Sequence, residues 1–480
     1  MEARDIFQNI SPIDHRYSVS EKAVFESLAL WLSEEASVAS CVRAETALIF
    51  AHLTVRGALN PAVRSNLEKA AAAIGPAEVY AEEEKTRHNI RALVNVLKRA
   101  IPAEYAPLVH LGATSADILD TSLSYRITGV TREVVLPLLK KLELLLCEFA
   151  ENEAETPQTG RTHGQHAVPI TLGFAIAEYV SRLGKSILEI EKRSKELKGK
   201  LAGAAGAYNA TAMIVQDPEE LERLYLAELG LEPSEHSTQL VEPEYLLRLL
   251  VEFNTAFGII ANLADDLRNL QRSEIGELRE GFAEDQVGSS TMPQKRNPWN
   301  SEHIKSLWKA FMPRVMTFFM DQISEHQRDL SNSASQRFIA DYIAGFALAV
   351  SRMERVVYGL GVDRKRLLEN LKGGGSGMIL AEPAYILLAD SGVSGAHEVI
   401  RRITLAAEKE KLSFAEALAR EKETLSAISA RMAGIGLIQP EGGRTEEAAL
   451  AWFENPEQYR GLAMEKALRI TEKYKKLFGR

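Results

Sequence analysis

Apolar residues recur at three- and four-residue steps from Leu246 through Leu249, Leu250, Phe253, Phe257, Ile260, Leu263 and Leu267, the spacing that lays a stripe along one side of a helix. The pattern predicts one long amphipathic helix there and similar ones over 172–197, 302–323 and 339–358. Alternating apolar and polar positions bounded by turn residues, the mark of strands, are nearly absent. The chain is therefore expected to be all-α, built on a long-helix bundle. Ser301 and Glu302 make a fair helix start, and Pro313 should kink the helix that follows rather than end it, since the periodicity continues on both sides. Glycine and proline cluster at Gly112, 157–164, 203–206, 281–298 and 373–377, which places loops at the ends of the bundle. Shorter helical patterns flank the longest ones, putting boundaries near Leu111 and Gly361 and three helical domains at 1–111, 112–361 and 362–480, the central one holding the polar loop 281–298. The acidic run Glu82-Glu83-Glu84 reads as a solvated helix face.

At 480 residues, 46% hydrophobic and 26% charged, the chain is long enough to bury a sizeable core and divide into several domains. Its 57 basic residues against 66 acidic ones, a net charge of −9, give no electrostatic reason to expect nucleic acid or an anionic membrane as partner. An anionic substrate must then be caught by local basic groups. Residues 1–6 contain no apolar signal core, and apolar runs are interrupted well before the roughly 18 residues of a membrane span, so the cytoplasm is the expected location. Only Cys41 and Cys147 occur, with no Cys-x-x-Cys or Cys/His grouping, so neither a zinc site nor a disulfide framework is indicated. Both read as small core hydrophobes.

Chemistry is expected in the polar punctuation. Residues 288–298, Gly-Ser-Ser-Thr-Met-Pro-Gln-Lys-Arg-Asn-Pro, follow Gly281 and Asp285. A flexible glycine start, two serine hydroxyls, the Lys295 cation and the Asn297 amide make a loop able to close over a carboxylate, although composition alone fits any polar connection between helices. Residues 112–121, Gly-Ala-Thr-Ser-Ala-Asp-Ile-Leu-Asp-Thr, lead small hydroxylated residues into a helix. Thr114 or Ser115 followed by Asp117 is an ordinary N-cap; the same hydroxyls and amides form a natural carboxylate site, and both roles can hold together. Residues 160–169, Gly-Arg-Thr-His-Gly-Gln-His-Ala-Val-Pro, carry His163 and His166 ahead of a long helix. A loop histidine by itself is more often solvated or capping.

The order of residues narrows this. The 288–298 string matches the Gly-Ser-Ser-x-Met-Pro-x-Lys-x-Asn-Pro signature of the fumarase/aspartase superfamily at every fixed position, and the chain resembles that superfamily. Residues 161–169 are similar to the Arg-Thr-His-Gly-Gln-His-Ala-x-Pro form found in its adenylosuccinate lyase branch. Three more stretches resemble the same branch: Ser11-Pro12-Ile13-Asp14-His15-Arg16-Tyr17, Thr238-Gln239 followed by Glu242-Pro243, and 327–337 with its Arg328-Asp329, Ser333 and Arg337. There is one departure. Arg87-His88-Asn89 carries an amide where the branch usually shows His-Asp.

The resemblance implies a homotetramer around a shared helical core, with three subunits contributing to each active site. It implies β-elimination of fumarate from adenylosuccinate, giving AMP, and the same reaction on succinylaminoimidazole carboxamide ribotide. Ser290 would be the base and His163 the acid that protonates the departing nitrogen. His88 would assist on the leaving-group side, and Lys295 would favour the Ser290 alkoxide. Thr114, Ser115, Gln239, Lys295 and Asn297 would donate to the succinyl carboxylate as a second negative charge develops on it, about 3–4 kcal/mol for a well-placed donor. Arg16, Tyr17, Ser333 and Arg337 would bind the nucleotide phosphate. Arg87, Asn89, Thr162 and Met292 would contact the substrate, and Arg328 the base or the substrate carbonyl. For His166 two roles stay open, a catalytic contribution and a hydrogen bond within its loop. No metal or other cofactor is implied, because acceptor, donor and charge stabilisers are all side chains. Two other readings compete: another fumarate-forming relative, such as argininosuccinate lyase or a carboxymuconate cycloisomerase, and a non-catalytic structural relative. The phosphate residues count against the first; Ser290, Lys295, Asn297 and His163 together count against the second.

Overall fold

A computed structural model of the chain describes residues 5–282, 288–373 and 376–479. Residues 1–4, Asp285, Gly374 and Gly375, all part of the sequence reading, lie outside the described residues. The all-α expectation holds. Long helices run over Glu34–Val55, Leu172–Lys195, Glu244–Leu270 and Ile339–Tyr358, and strands among the described residues are confined to three two-stranded pieces. The stripe that predicted the Glu244–Leu270 helix is buried: Leu249, Leu250, Phe253, Phe257 and Ile260 are at most 1% exposed. Cys41 and Cys147 are buried free thiols.

The chain divides into two compact units, one formed by residues 1–142, 183–262 and 303–353, the other by 143–182, 263–302 and 354–480. The first has a core in which Leu48 and Ile49 of the Glu34–Val55 helix meet Leu93 and Leu97 of Asn89–Ala100, with Ile118, Leu201 and Tyr225. Each such side chain contributes about 1.5–3 kcal/mol by leaving water. In the same unit Phe253 stacks on Phe346 with ring centres 5.3 Å apart. The second unit has its own core, in which Leu388, Ile400, Phe414, Leu418, Ile428 and Phe453 come from five short helices between Ala381 and Phe453. It also holds the antiparallel hairpin of Pro157–Thr162 and Gln165–Thr171.

Three expectations need correction. The helix ahead of Pro313 ends at Phe311, and Pro313 caps a separate helix, Arg314–Met320; proline lacks the N–H and its ring crowds the preceding turn, so the helix stops rather than kinks. Glu82 is buried, not solvated: it accepts from Asn95 Nδ2 at 2.9 Å and Arg99 Nη2 at 3.2 Å, bonds that hold its carboxyl down at about 2. Two helical stretches, Lys22–Val55 and Glu244–Leu270, are by length and composition apolar enough to cross a membrane, but 78% and 56% of their apolar windows lie buried within the fold. They supply core.

Candidate active site

In the first unit, the start of the Ser115–Val130 helix is held from beneath. Asp117 Oδ2 accepts from the Thr114 amide at 2.7 Å, completing a capping box. Its other oxygen pairs with the Lys200 ammonium and accepts from the Ala202 amide, and both charged side chains are fully buried. Such a pair persists only when its remaining valences are met, and Lys200 also donates to the Gly203 carbonyl at 3.1 Å. Thr114 and Ser115 are left half-buried at a fixed helix N-terminus. One turn further along, Asp120 Oδ2 accepts from the Val241 amide at 2.9 Å, and the Gln239 amide donates to the Gln327 carbonyl at 3.2 Å. These bonds bring the Gln239 stretch between the helix and the 321–337 segment. Burial pushes the Asp120 carboxyl up to about 6. Arg328 adopts a left-handed backbone, φ 72°, and donates to the Asp321 and Gln322 carbonyls, while its Nε is buried without a partner. It lines a small cavity of about 70 Å³ with Asp120, Val241 and Asn332.

The same unit carries the proposed phosphate residues. The half-buried Tyr17 hydroxyl lies 2.8 Å from His303 Nε2. Burial, then the Arg352 and Arg16 charges, lower the pKa of His303. Arg352 in turn donates to Glu21 at 3.3 Å. Sequence reasoning missed His303 and Arg352, since nothing near either links it to residue 17. Ser333 and Arg337 are exposed on their segment, which is tied down by a Ser335 hydroxyl bonded to Asp321 at 2.8 Å. Arg87, with φ 55°, closes the Pro76–Thr86 helix, and the exposed His88 caps Asn89–Ala100. His88 Nδ1 accepts from the Arg91 amide at 3.3 Å, so the neutral ring carries its proton on Nε2. Asn89 Oδ1 accepts from its neighbour Ile90 at 2.8 Å, a bond an aspartate would make as well; the departure from the branch leaves this turn intact.

The second unit presents His163 and the serine loop. Residues 157–164, read as loop, form a strand and turn: Thr162 pairs with Gln165, so His163 and Gly164, at φ 55° and 74°, form the two-residue turn of the hairpin. Two positive φ values fit the right-handed strand twist, and they leave the His163 ring exposed at the tip. Gly160 sits at a register shift, where a Cβ would stand 2.5 Å from the Val168 carbonyl oxygen. Arg161 anchors the hairpin through two bonds, 2.5 and 3.2 Å, to the fully buried Glu277, which also accepts from Gln158 and Asn370 at 2.9 Å. Burial, then the Arg161 charge, lower the pKa of His166.

In the loop, Ser289 Oγ accepts from the Thr291 and Met292 amides at 3.3 and 3.0 Å, and Asn297 Nδ2 donates to the Gly288 carbonyl at 2.9 Å. Any side chain at Gly288 would meet the Lys295 carbonyl at 2.2 Å. The loop is thus laced across its base, with Ser290, Met292 and Lys295 exposed along it. Glu280 caps the following helix through the Ser301 amide at 2.8 Å, and Gln271 donates to the Arg296 carbonyl at 3.2 Å. Fixed donors with an exposed hydroxyl and ammonium suit stabilising an anion that forms during reaction.

Residues 27–311 match the lyase family model, and residues 324–436 match the model described as adenylosuccinate lyase C-terminal. Adenylosuccinate lyase from Pyrococcus horikoshii is 32% identical over 88% of this chain and 92% of its own length. The one from Archaeoglobus fulgidus is 28% identical over 96% and 98%. Among solved structures, fumarate lyase from Mesorhizobium sp. BNC1 superposes with a TM-score of 0.78 at 22% identity, over 93% of this chain and 97% of that one. The 3-carboxy-cis,cis-muconate lactonizing enzyme from Pseudomonas putida gives 0.77 at 24%, over 95% and 98%. At these identities the structures speak for the fold alone.

Proposed function

We infer the chemistry of this chain from the family to which it belongs, the adenylosuccinate lyases of the fumarase/aspartase superfamily: it eliminates fumarate from adenylosuccinate and leaves AMP. The observation that carries the substrate is the match of residues 324–436 to the adenylosuccinate lyase C-terminal model, which the other fumarate-forming readings leave unexplained.

The reaction removes a proton from the succinyl carbon next to a carboxylate; its electrons form the fumarate double bond as the carbon–nitrogen bond breaks. Ser290 takes that proton as its alkoxide, made accessible by Lys295 and the loop amides when closure expels water. His163 Nε2 or Nδ1 delivers a proton to the departing nitrogen, the role an imidazole fills near neutral pH, with His88 assisting through Nε2. Thr114, Ser115, Gln239, Lys295 and Asn297 hold the carboxylate as it gains charge; the fixed helix start at Thr114 supports this for the first two. Arg16, Tyr17, Ser333 and Arg337 take the phosphate, with Arg87, Asn89, Thr162, Met292 and Arg328 around the substrate. The cluster of Arg16, Arg352, Tyr17 and His303 supports a phosphate site. Succinylaminoimidazole carboxamide ribotide, which carries the same succinyl-nitrogen bond and phosphate, is the second substrate. The working form is a cytoplasmic homotetramer in which several subunits build each site.

Adenylosuccinate, succinylaminoimidazole carboxamide ribotide and argininosuccinate offered separately to the purified protein, with fumarate measured in each, test this. Turnover of the two nucleotides alone is the expected result. Turnover of argininosuccinate, or of nothing, would overturn the substrate.

A further inference from the structure

The first unit holds a cavity of about 500 Å³, and none of the residues lining it is assigned above to elimination or substrate binding. Its volume falls in the range of small-molecule sites. One wall is aromatic: the Trp31 and Tyr125 rings lie 5.6 Å apart, tilted, and the Arg43 guanidinium sits 5.2 Å over Tyr125. Across the cavity Arg64 lies 4.3 Å over Phe50 and forks onto Glu228 at 2.6 and 2.7 Å, with Glu68 at 3.8 Å. Three arginines and two glutamates therefore face the space, and Arg64 takes both carboxylates.

Arg43 and Arg126 are left over. Among the described residues neither forms an ion pair. Among the described residues, the one hydrogen bond of Arg126 is a long 3.5 Å donation to the Trp31 carbonyl, and its Nε is buried with no partner. A buried donor on a charged group, left unmet, is costly, and folded chains seldom leave one without a reason. A planar guanidinium beside an aromatic wall is suited to a carboxylate, phosphate or sulfonate carried on a ring.

We propose that this cavity binds a small planar anion, with its ring against Trp31 and Tyr125 and its charged head on Arg126 and Arg43. No residue lining it is assigned to elimination or substrate binding, so the anion bound here is distinct from the substrate.

The probe is 1-anilinonaphthalene-8-sulfonate, titrated by fluorescence into the full-length protein beside its uncharged analogue, N-phenyl-1-naphthylamine. Arg126→Met removes the head contact. Ala39→Trp fills the cavity from an exposed helix position and keeps the test open should Arg126→Met fail to fold. The expected result is saturable binding of the sulfonate, tighter than the neutral analogue by about tenfold or more and weakened by at least about tenfold in each folded variant, with fumarate release from adenylosuccinate unchanged in both. Equal affinity for the neutral analogue, unchanged affinity in either folded variant, or no saturable binding would each overturn the proposal.

Discussion

Ser289 and Ser290 are adjacent in sequence and differ in situation: the first accepts two backbone amides inside the loop, the second is exposed. Replacing Ser290 with alanine should leave the melting temperature unchanged and lower kcat on adenylosuccinate by about 10²–10⁴-fold; near-normal turnover at saturating substrate would exclude it as the base. Ser289→Ala should instead raise KM along with a smaller loss of kcat, because the loop loses its internal tie. Asp120 offers a separate test. Its carboxyl is raised by burial to about 6, above the roughly 3.9 of an unfolded chain. Its contribution to stability is therefore full below about pH 4 and is lost as pH rises through about 6. Asp120→Asn keeps an acceptor for the Val241 amide and does not titrate. The stability difference, followed by urea denaturation, should swing toward the variant by up to about 3 kcal/mol between pH 4 and 6 and then level off; a flat difference would contradict the burial argument. Sequence shows which groups sit in each motif. Which serine turns inward, or that Lys200 supports the helix start from 83 residues away, depends on long-range contacts no local pattern encodes.

At the scale of elements, periodicity carried the helices well because burial of a stripe is what stabilises them. Glu244–Leu270 and Ile339–Tyr358 fall where the spacing puts them. The histidine hairpin was not legible. Its first strand buries adjacent positions rather than alternate ones, Gln158 through Gly160 all being buried, and the second buries only Pro169 and Thr171 at its end, so a sustained period of two never appears. Its stability should depend on the Arg161–Glu277 fork. Removing one partner strands a buried charge at roughly 3–5 kcal/mol, whereas replacing both with apolar residues of similar volume should cost much less. A double-mutant cycle on Arg161→Met and Glu277→Leu, read by chemical denaturation, measures this; additive losses would mean the two do not act as a pair. Because the hairpin ends in His163, Arg161→Met should also depress kcat more than KM.

For the whole molecule, the proposed site draws on residues of several subunits. Mixing a Ser290→Ala protein with a His163→Ala protein, each inactive alone, should restore part of the activity once subunits have exchanged. No recovery after verified exchange would mean that each site is complete within one chain. Composition and motif order were enough to read the fold class and the reaction class, while the grouping of segments into two units was not visible, since each unit collects three separated stretches of chain. That interleaving also bears on biosynthesis. The first unit lacks its last stretch until residue 353 has emerged, and the second waits for the residues beyond 354, so neither can finish folding early in translation. Half-made chains would hold both units without their later stretches. A truncation that keeps either unit whole, after residue 353 or before residue 143, carries stretches of the other unit with it, so neither can be cut out alone as one continuous piece.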